Sequence, residues 1–398
     1  MKKYKLAILT SHPIQYQVPL FRALAQSGID VHVLFCWDFG IKKTYDPEFG
    51  KEIKWDIPLL EDYCFKFLKN FSLHPGSARW HQEINPGIIK EIARQKYDAI
   101  LIYGWNSFTK WLAFIPAFLT KTPVFSYSES PLSQELLKPK WKIKVKKIIL
   151  GWLFRYISVF LYFGAENKKF YQYYGVPEEK LFFCPYAVDN SRFIAASKAS
   201  SVKRKALRKE LGISEKDVVI LFMGKLIKKK RPLDLLKAYE LLITNYQLPT
   251  SHLLFVGDGV LRPELEKYVK DNNLQNVHFC GFKNQTELPK YYTLADIFVL
   301  PSGTGETWGL VVNEAMCSGL PIVVSDIVGC GSDLVKNNEN GFIFPLGDIE
   351  KLTAYLKDLV NNEEKRKNFG EKSFEIVQNY NYEKDVNCIL KALAYIKR

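Results

Sequence analysis

The sequence predicts an α/β fold of two domains, each built on a parallel sheet covered by helices on both faces. Three observations lead there. The 398-residue length exceeds one ordinary core and suits two of similar size. Short continuous apolar runs alternate with helical patterns, as strands buried on both faces do. The alternation breaks at a polar stretch near mid-chain and then restarts.

Taken in order, residues 5–9 read as the first strand, 18–25 as a helix and 31–35 as the next strand. Residues 99–103 and 123–127 read as buried strands separated by a helix over 108–119. Residues 190–209, rich in serine and lysine, read as a linker containing the start of a capped helix. The second set is cleaner. Strands are expected at 218–222, 253–256, 277–279, 297–300 and 322–325, with helices at 233–242, 262–271, 287–294 and 311–317 between them. These readings place one domain at 1–195 and the other at 210–378, followed by a last helix at 382–396.

Composition bounds the function. Apolar residues are 47% and charged residues 25% of the chain, the balance of a folded globular protein. The seven cysteines form no CxxC pair and no Cys/His cluster at zinc spacing, which reads as reduced thiols of a cytosolic protein and no metal site. The amino terminus lacks the long apolar region and small-residue cleavage site of a signal peptide. The net charge of +14 favours anionic partners. Part of it lies in 138–147, KPKWKIKVKK, followed by an apolar stretch at 148–163 that Arg155 interrupts. That stretch is too short and broken to span a bilayer. Two readings remain for it: a peripheral contact with an anionic membrane, or a buried helix with lysines at its solvated entry.

The chemistry is written most clearly in PSGTGETWGLVVNEAM (301–316). It starts at the carboxyl end of an apolar strand, where open α/β sheets bind ligands. A helix is expected from Gly309, so the N–H groups of Gly309, Leu310 and Val311 would offer an anion site. Glu306 precedes this helix and Glu314 lies within it. Eight helical steps span about 12 Å, a reach suited to the two ends of a nucleotide diphosphate sugar. A second loop, MGKLIKKKRP (223–232), follows a strand and precedes a helix. Gly224 lets backbone approach a phosphate, and Lys225 and Lys230 supply charge. Lys228 and Lys229 read as a solvated basic turn. Gly257-Asp258-Gly259 and Gly281-Phe282-Lys283-Asn284-Gln285 are further loops after strands.

These segments, with VVSD, VGCGSDLV and NGFIFP downstream, resemble the retaining glycosyltransferases of family 4 and their E-x7-E motif. The resemblance covers nearly all of the C-terminal half. It implies the GT-B fold, two Rossmann-like domains facing a central cleft, with the last helix (382–398) packing back on the first domain. It also implies a nucleotide-sugar donor, a UDP-sugar in preference to a GDP-sugar, no cofactor and no essential metal. Catalytic roles pass to Glu306, Lys230 and Lys225. Donor contacts pass to Gly224, Gly257, Phe282, Lys283, Asn284, Trp308, Gly309, Leu310, Val311 and Glu314. Lys225 stands where the family has arginine and lacks its bidentate fork.

The N-terminal half resembles the family less sharply. SHPIQYQVPLF (11–21) looks like its first loop and helix, which places His12, Gln15 and Tyr16 on the acceptor side. Glu129 falls where many relatives carry His or Asp. There is no GxGxxG in this half. The expected acceptor is a glycan or a lipid-linked sugar of bacterial surface polysaccharide or glycoconjugate synthesis, at the cytoplasmic face of the plasma membrane. No nucleic acid is expected. The same fold hosts sugar-nucleotide epimerases and phosphorylases, so those remain the enzymatic alternative. A non-enzymatic basic module would explain the charge but not the motifs.

Overall fold

The computed structural model describes residues 4–77, 79–198, 201–246, 248 and 250–397. The chain divides into two compact units. One comprises Met1–Thr44, Ile53–Tyr186 and Tyr382–Arg398, the other Tyr45–Glu52 and Ala187–Asn381.

In the first unit, β1 (Lys5–Thr10), α1 (Val18–Gln26) and β2 (Asp30–Phe35) open the fold. The short strands β3 (Thr44–Asp46) and β4 (Lys51–Ile53) form a two-stranded ribbon; its residues 45–52 cluster with the second unit. Next come β5 (Cys64–Phe67), α2 (Gly87–Gln95), β6 (Ala99–Tyr103), α3 (Phe108–Leu119) and β7 (Val124–Tyr127). The unit continues with α4 (Leu132–Glu135), α5 (Lys140–Leu153), β8 (Val159–Tyr162), α6 (Ala165–Tyr173) and β9 (Leu181–Phe183). Its sheet runs β5-β2-β1-β6-β7-β8-β9, parallel throughout. Leu6–Leu9 and Ala99–Ile102 are almost fully buried, which explains why these strands read as unbroken apolar runs.

The second unit opens with α7 (Asn190–Lys198) and α8 (Ser201–Glu210), where the sequence reads as a linker. Its few apolar residues explain the difference: Phe193 and Leu207 are both buried, too sparse a pattern to show among serines and lysines. Then follow β10 (Val218–Met223), α9 (Pro232–Asn245), β11 (Ser251–Val256), α10 (Arg262–Asp271), β12 (Val277–Gly281) and α11 (Leu288–Leu294). The rest is β13 (Ile297–Leu300), α12 (Leu310–Cys317), β14 (Ile322–Ser325), α13 (Gly331–Leu334), β15 (Gly341–Phe344), α14 (Ile349–Asn361) and α15 (Glu363–Val377). The sheet runs β12-β11-β10-β13-β14-β15, again all parallel. Counted within the unit, that is the doubly wound order 3-2-1-4-5-6. The last helix, α16 (Tyr382–Tyr395), belongs to the first unit, where it packs on α1.

The 148–163 stretch is not one buried helix. It is the end of α5, a short 3-10 turn (Phe154–Tyr156) and then β8. Among the described residues no helix is long and apolar enough to cross a membrane.

Candidate functional site

In each sheet the order reverses between the first and fourth strands. Ligands of open α/β sheets bind outside the carboxyl ends of the strands at this switch point. In the second unit the switch lies between β10 and β13. The loops that leave these strands are 224–231 and 301–309, the two loops singled out from the sequence.

The loops are knit together. Gly303 N donates to Lys229 O at 2.7 Å, and Gly329 N donates to Glu306 O at 3.1 Å. Lys230 Nζ is hydrogen-bonded and ion-paired to Glu306 Oε2, with both side chains mostly buried. Burial pushes the Glu306 carboxyl up, but the charges of Lys230 and Lys229 and the Lys230 hydrogen bond pull harder, so its pKa sits below the ordinary value. The carboxylate is thus ionised and held on a lysine at the mouth of the sheet. Lys230 passes close over Gly224.

Beside this pair α12 begins. Its N-cap is Gly309, at φ 104, a left-handed conformation that glycine adopts freely. No side chain caps the helix, and Leu310 N and Val311 N have no acceptor among the described residues. These unpaired donors at a helix start favour negative charge. Gly257 does a different job. A Cβ there would stand 1.9 Å from Gly224 O, so the turns after β10 and β11 cross too closely for any side chain.

Glu314 is buried inside α12 and accepts a 2.6 Å hydrogen bond from Tyr292 Oη. Burial raises its pKa, opposed by that hydrogen bond and by the charges of Arg192 and Lys230. Arg192 on α7 was not singled out from the sequence, because it stands in the stretch read as a linker. It donates to Gln285 Oε1 at 2.8 Å and brings a cation toward Glu314.

Other residues fall elsewhere. The Trp308 side chain is 2% exposed and its indole N–H donates to Asn313, so it anchors the loop in the core and leaves only its backbone at the site. Asn284 opens α11: its carbonyl accepts from Glu287 N and its side chain from Gln285 N. Lys283 lies over the Tyr291 ring. Lys225 faces different carboxylates from Lys230. It is held by the ribbon, with Nζ 3.1 Å from Asp46 Oδ2 and 2.5 Å from Glu48 Oε2. The same ribbon places Phe49 edge-on to Phe282 and Lys51 on Asp258 at 2.6 Å. Nothing in the 44–53 sequence announces this; strands of three residues carry no readable period.

In the first unit the switch lies between β1 and β6. His12 follows β1. Its Nδ1 is 2.9 Å from Ser11 Oγ, and its ring meets Trp37 and Phe39 edge-on. Burial, aided by the nearby Lys110 charge, lowers its pKa to about 4. Lys110 is itself buried, 3.8 Å from the fully buried Glu83. Neither was singled out from the sequence. Tyr16 packs on Tyr186, whose hydroxyl donates to Glu129 at 2.5 Å. Glu129 is exposed. Gln15 is half-buried in the same loop. Among the described residues no group of three or more His, Cys, Asp or Glu is placed to hold a metal ion.

Residues 203–376 match the family model "Glycosyl transferases group 1". A sulfoquinovosyl transferase of Arabidopsis thaliana is 29% identical over 75% of this chain and 57% of its own length. The chain therefore spans little more than half of that relative. The UDP-Gal:alpha-D-GlcNAc-diphosphoundecaprenol alpha-1,3-galactosyltransferase of Escherichia coli is 29% identical over 68% of each chain. Among solved structures, Anabaena HepE in complex with UDP-glucose superposes with a TM-score of 0.72 at 19% identity, covering 98% of this chain and 99% of that one. The fold is GT-B, and the second unit carries the glycosyl transferases group 1 pattern.

Proposed function

We propose that this chain is a glycosyltransferase that moves a sugar from a nucleotide diphosphate donor, a UDP-sugar, to a glycan or lipid-linked acceptor, with retention of anomeric configuration. The observation that carries the reading is the Lys230–Glu306 pair at the switch point beside the open start of α12. Buried cation, uncapped N–H groups and a close-approach glycine turn suit a diphosphate. A carboxylate held next to them suits the hydroxyls of the attached sugar.

In this reading Lys230 and the N–H groups of Leu310 and Val311 stabilise the charge that builds on the departing diphosphate. Glu306 orients the donor sugar. Glu314, with Tyr292 behind it, takes the ribose hydroxyls. The bond from the anomeric carbon to the diphosphate oxygen breaks, and the acceptor oxygen bonds to the same carbon from the same face. The acceptor proton passes to the leaving phosphate oxygen. Lys225 joins the diphosphate site once the ribbon carboxylates release it. His12, Gln15, Tyr16 and Glu129 belong to the acceptor side. The family pattern on residues 203–376 and the UDP-glucose held by a protein of the same fold support this reading. The named activities of the two relatives also favour transfer over epimerisation. The pathway is bacterial surface polysaccharide or glycoconjugate synthesis on the cytoplasmic side of the membrane.

A panel of nucleotide sugars, followed by NMR for hydrolysis, transfer and product anomer, tests the proposal. Turnover of one donor with the anomeric configuration kept supports it. Conversion of a donor to a different sugar nucleotide without acceptor identifies an epimerase and overturns it.

A further inference from the structure

The helix α5 is apolar on two opposite sides. Ile143, Leu150 and Leu153 are buried in the first unit. Trp141, Val145, Ile148, Ile149 and Trp152 recur at helical spacing on the other side and face solvent, with Trp141 65%, Ile148 70% and Trp152 55% exposed. A surface helix of a soluble protein is polar there. The apolar face does not end with the helix. Trp152 packs on Tyr156, Tyr156 packs on Phe118 at the end of α3, and Phe118 and Leu119 are 66% and 74% exposed. Two elements thus share one continuous exposed apolar patch, a feature that marks an interaction surface.

Its flanks are basic. Lys140, Lys142, Lys144 and Lys147 are exposed along the same helix, and Lys121 and Arg155 stand exposed just past Leu119 and Trp152. Lys138 and Lys146 of the same run play another part: both pair with the buried Glu135, and Lys146 lies over Phe170. The basic run is therefore split between an inward pair that fixes α5 and an outward, exposed set, in which Lys142 lies over the Trp141 ring and Lys147 over the Tyr173 ring.

We infer that this face lies on an anionic lipid bilayer, with the tryptophans in the headgroup region and the lysines on lipid phosphates. Tryptophan and lysine around a shallow apolar stripe match an interface with an apolar interior and a negative rim. A second copy of this chain is disfavoured as the occupant, because docking the patch on itself would bring the lysine flanks of two +14 molecules together. The inference gives the proposed lipid-linked acceptor a surface from which to reach the enzyme, and it rests on that reading only for its purpose.

The test needs neither donor nor acceptor, so it stands apart from the transferase assay. The full chain is sedimented with vesicles of phosphatidylglycerol or of phosphatidylcholine, and tryptophan fluorescence is followed. Binding to the anionic vesicles at low salt, a blue shift, and loss of binding in high salt are expected. Changing Lys140, Lys142, Lys144 and Lys147 to glutamine should weaken partitioning by about fivefold per lysine. Trp141→Ser with Trp152→Ser should weaken it by about tenfold or more and abolish the blue shift. Both sets change exposed side chains, and an unchanged melting temperature verifies the fold. Absent binding at low salt, binding indifferent to both sets, or a dimer dissolved by the tryptophan variants would each overturn the inference.

Discussion

The carboxyl edges of the two sheets share a topology and differ in kind. At the switch of the second unit the chain collects charge: Lys230 on Glu306, Lys225 under two carboxylates, Arg192 near Glu314, and an uncapped helix start. At the switch of the first unit it collects aromatic rings. Tyr16, Tyr127 and Tyr186 pack together, Tyr103 packs on Tyr127, and His12 sits against Trp37 and Phe39. Burial raises Tyr103, Tyr127 and Tyr186 well above the ordinary phenol, so all three stay protonated. The same strand order thus frames one edge of charged groups and one of neutral rings. The proposed donor diphosphate and the proposed sugar acceptor differ in that same respect.

The comparison can be broken at its charged side first. Glu306→Gln should lower turnover by about 10²–10³ while UDP affinity changes little, because the sugar rather than the diphosphate loses its contact. Steady-state kinetics beside UDP titration separates the two. A fall in affinity equal to the fall in turnover would move Glu306 to the nucleotide.

Lys230→Ala should cost about 10² in turnover, and Lys228→Ala should do little. The Lys230 variant also removes the direct partner of a buried carboxylate, a loss of about 3–5 kcal/mol in stability. The pH dependence gives the sign. With Lys230 present, the folded pKa of Glu306 is lowered, so this group stabilises the fold above its unfolded pKa and the stabilisation fades as pH falls through the folded value. Without Lys230, burial is opposed mainly by the weaker pull of the Lys229 charge, and the pKa rises. The contribution is then best at low pH and fades as pH rises. Melting temperatures between pH 4 and 7 should show the two opposite trends, and parallel trends would mean the pair is not coupled.

A smaller effect comes from the ribbon. Glu48→Gln removes one of two carboxylates on Lys225, and the exposed pair is worth about 0.2–1 kcal/mol. UDP should bind about two- to fivefold tighter, by calorimetry. Weaker binding would make Glu48 part of the ligand's own site.

The smallest change is expected on the aromatic side. With its pKa lowered to about 4, His12 is neutral through the physiological range. It adds stability above its unfolded value near 6.5, and that is lost as pH falls toward 4. Its imidazole resonances should hold still from pH 8 to 5.5; a midpoint near 6.5 would show that the ring is solvated.

Much of the charged edge was legible because its signals are local. Gly309 before an apolar helix, Glu306 after an apolar strand, and Lys230 before Pro232 all sit within a few residues of the element they serve. The aromatic edge was less legible. Tyr16, Tyr127 and Tyr186 meet only through tertiary contacts, and any one of them alone reads as core. The Lys110–Glu83 pair joins residues from a helix and a loop far apart in sequence. The family resemblance offers Trp308 as a donor contact, and the burial of its indole on Asn313 is a tertiary feature that the motif does not show. The outward apolar face of α5 was undecided for the opposite reason: a stripe of large apolar residues shows its period, not which way it points.

The central claim is that a nucleoside diphosphate binds the charged edge of the second unit. Calorimetric titration of UDP into the full chain and into the Lys230→Ala and Glu314→Ala variants tests it most directly. The account predicts binding to the wild type, at least about tenfold weakening in each variant, as expected for one lost charged hydrogen bond, and much weaker binding of UMP. Equal UDP affinity in all three proteins, with the fold intact, would contradict it.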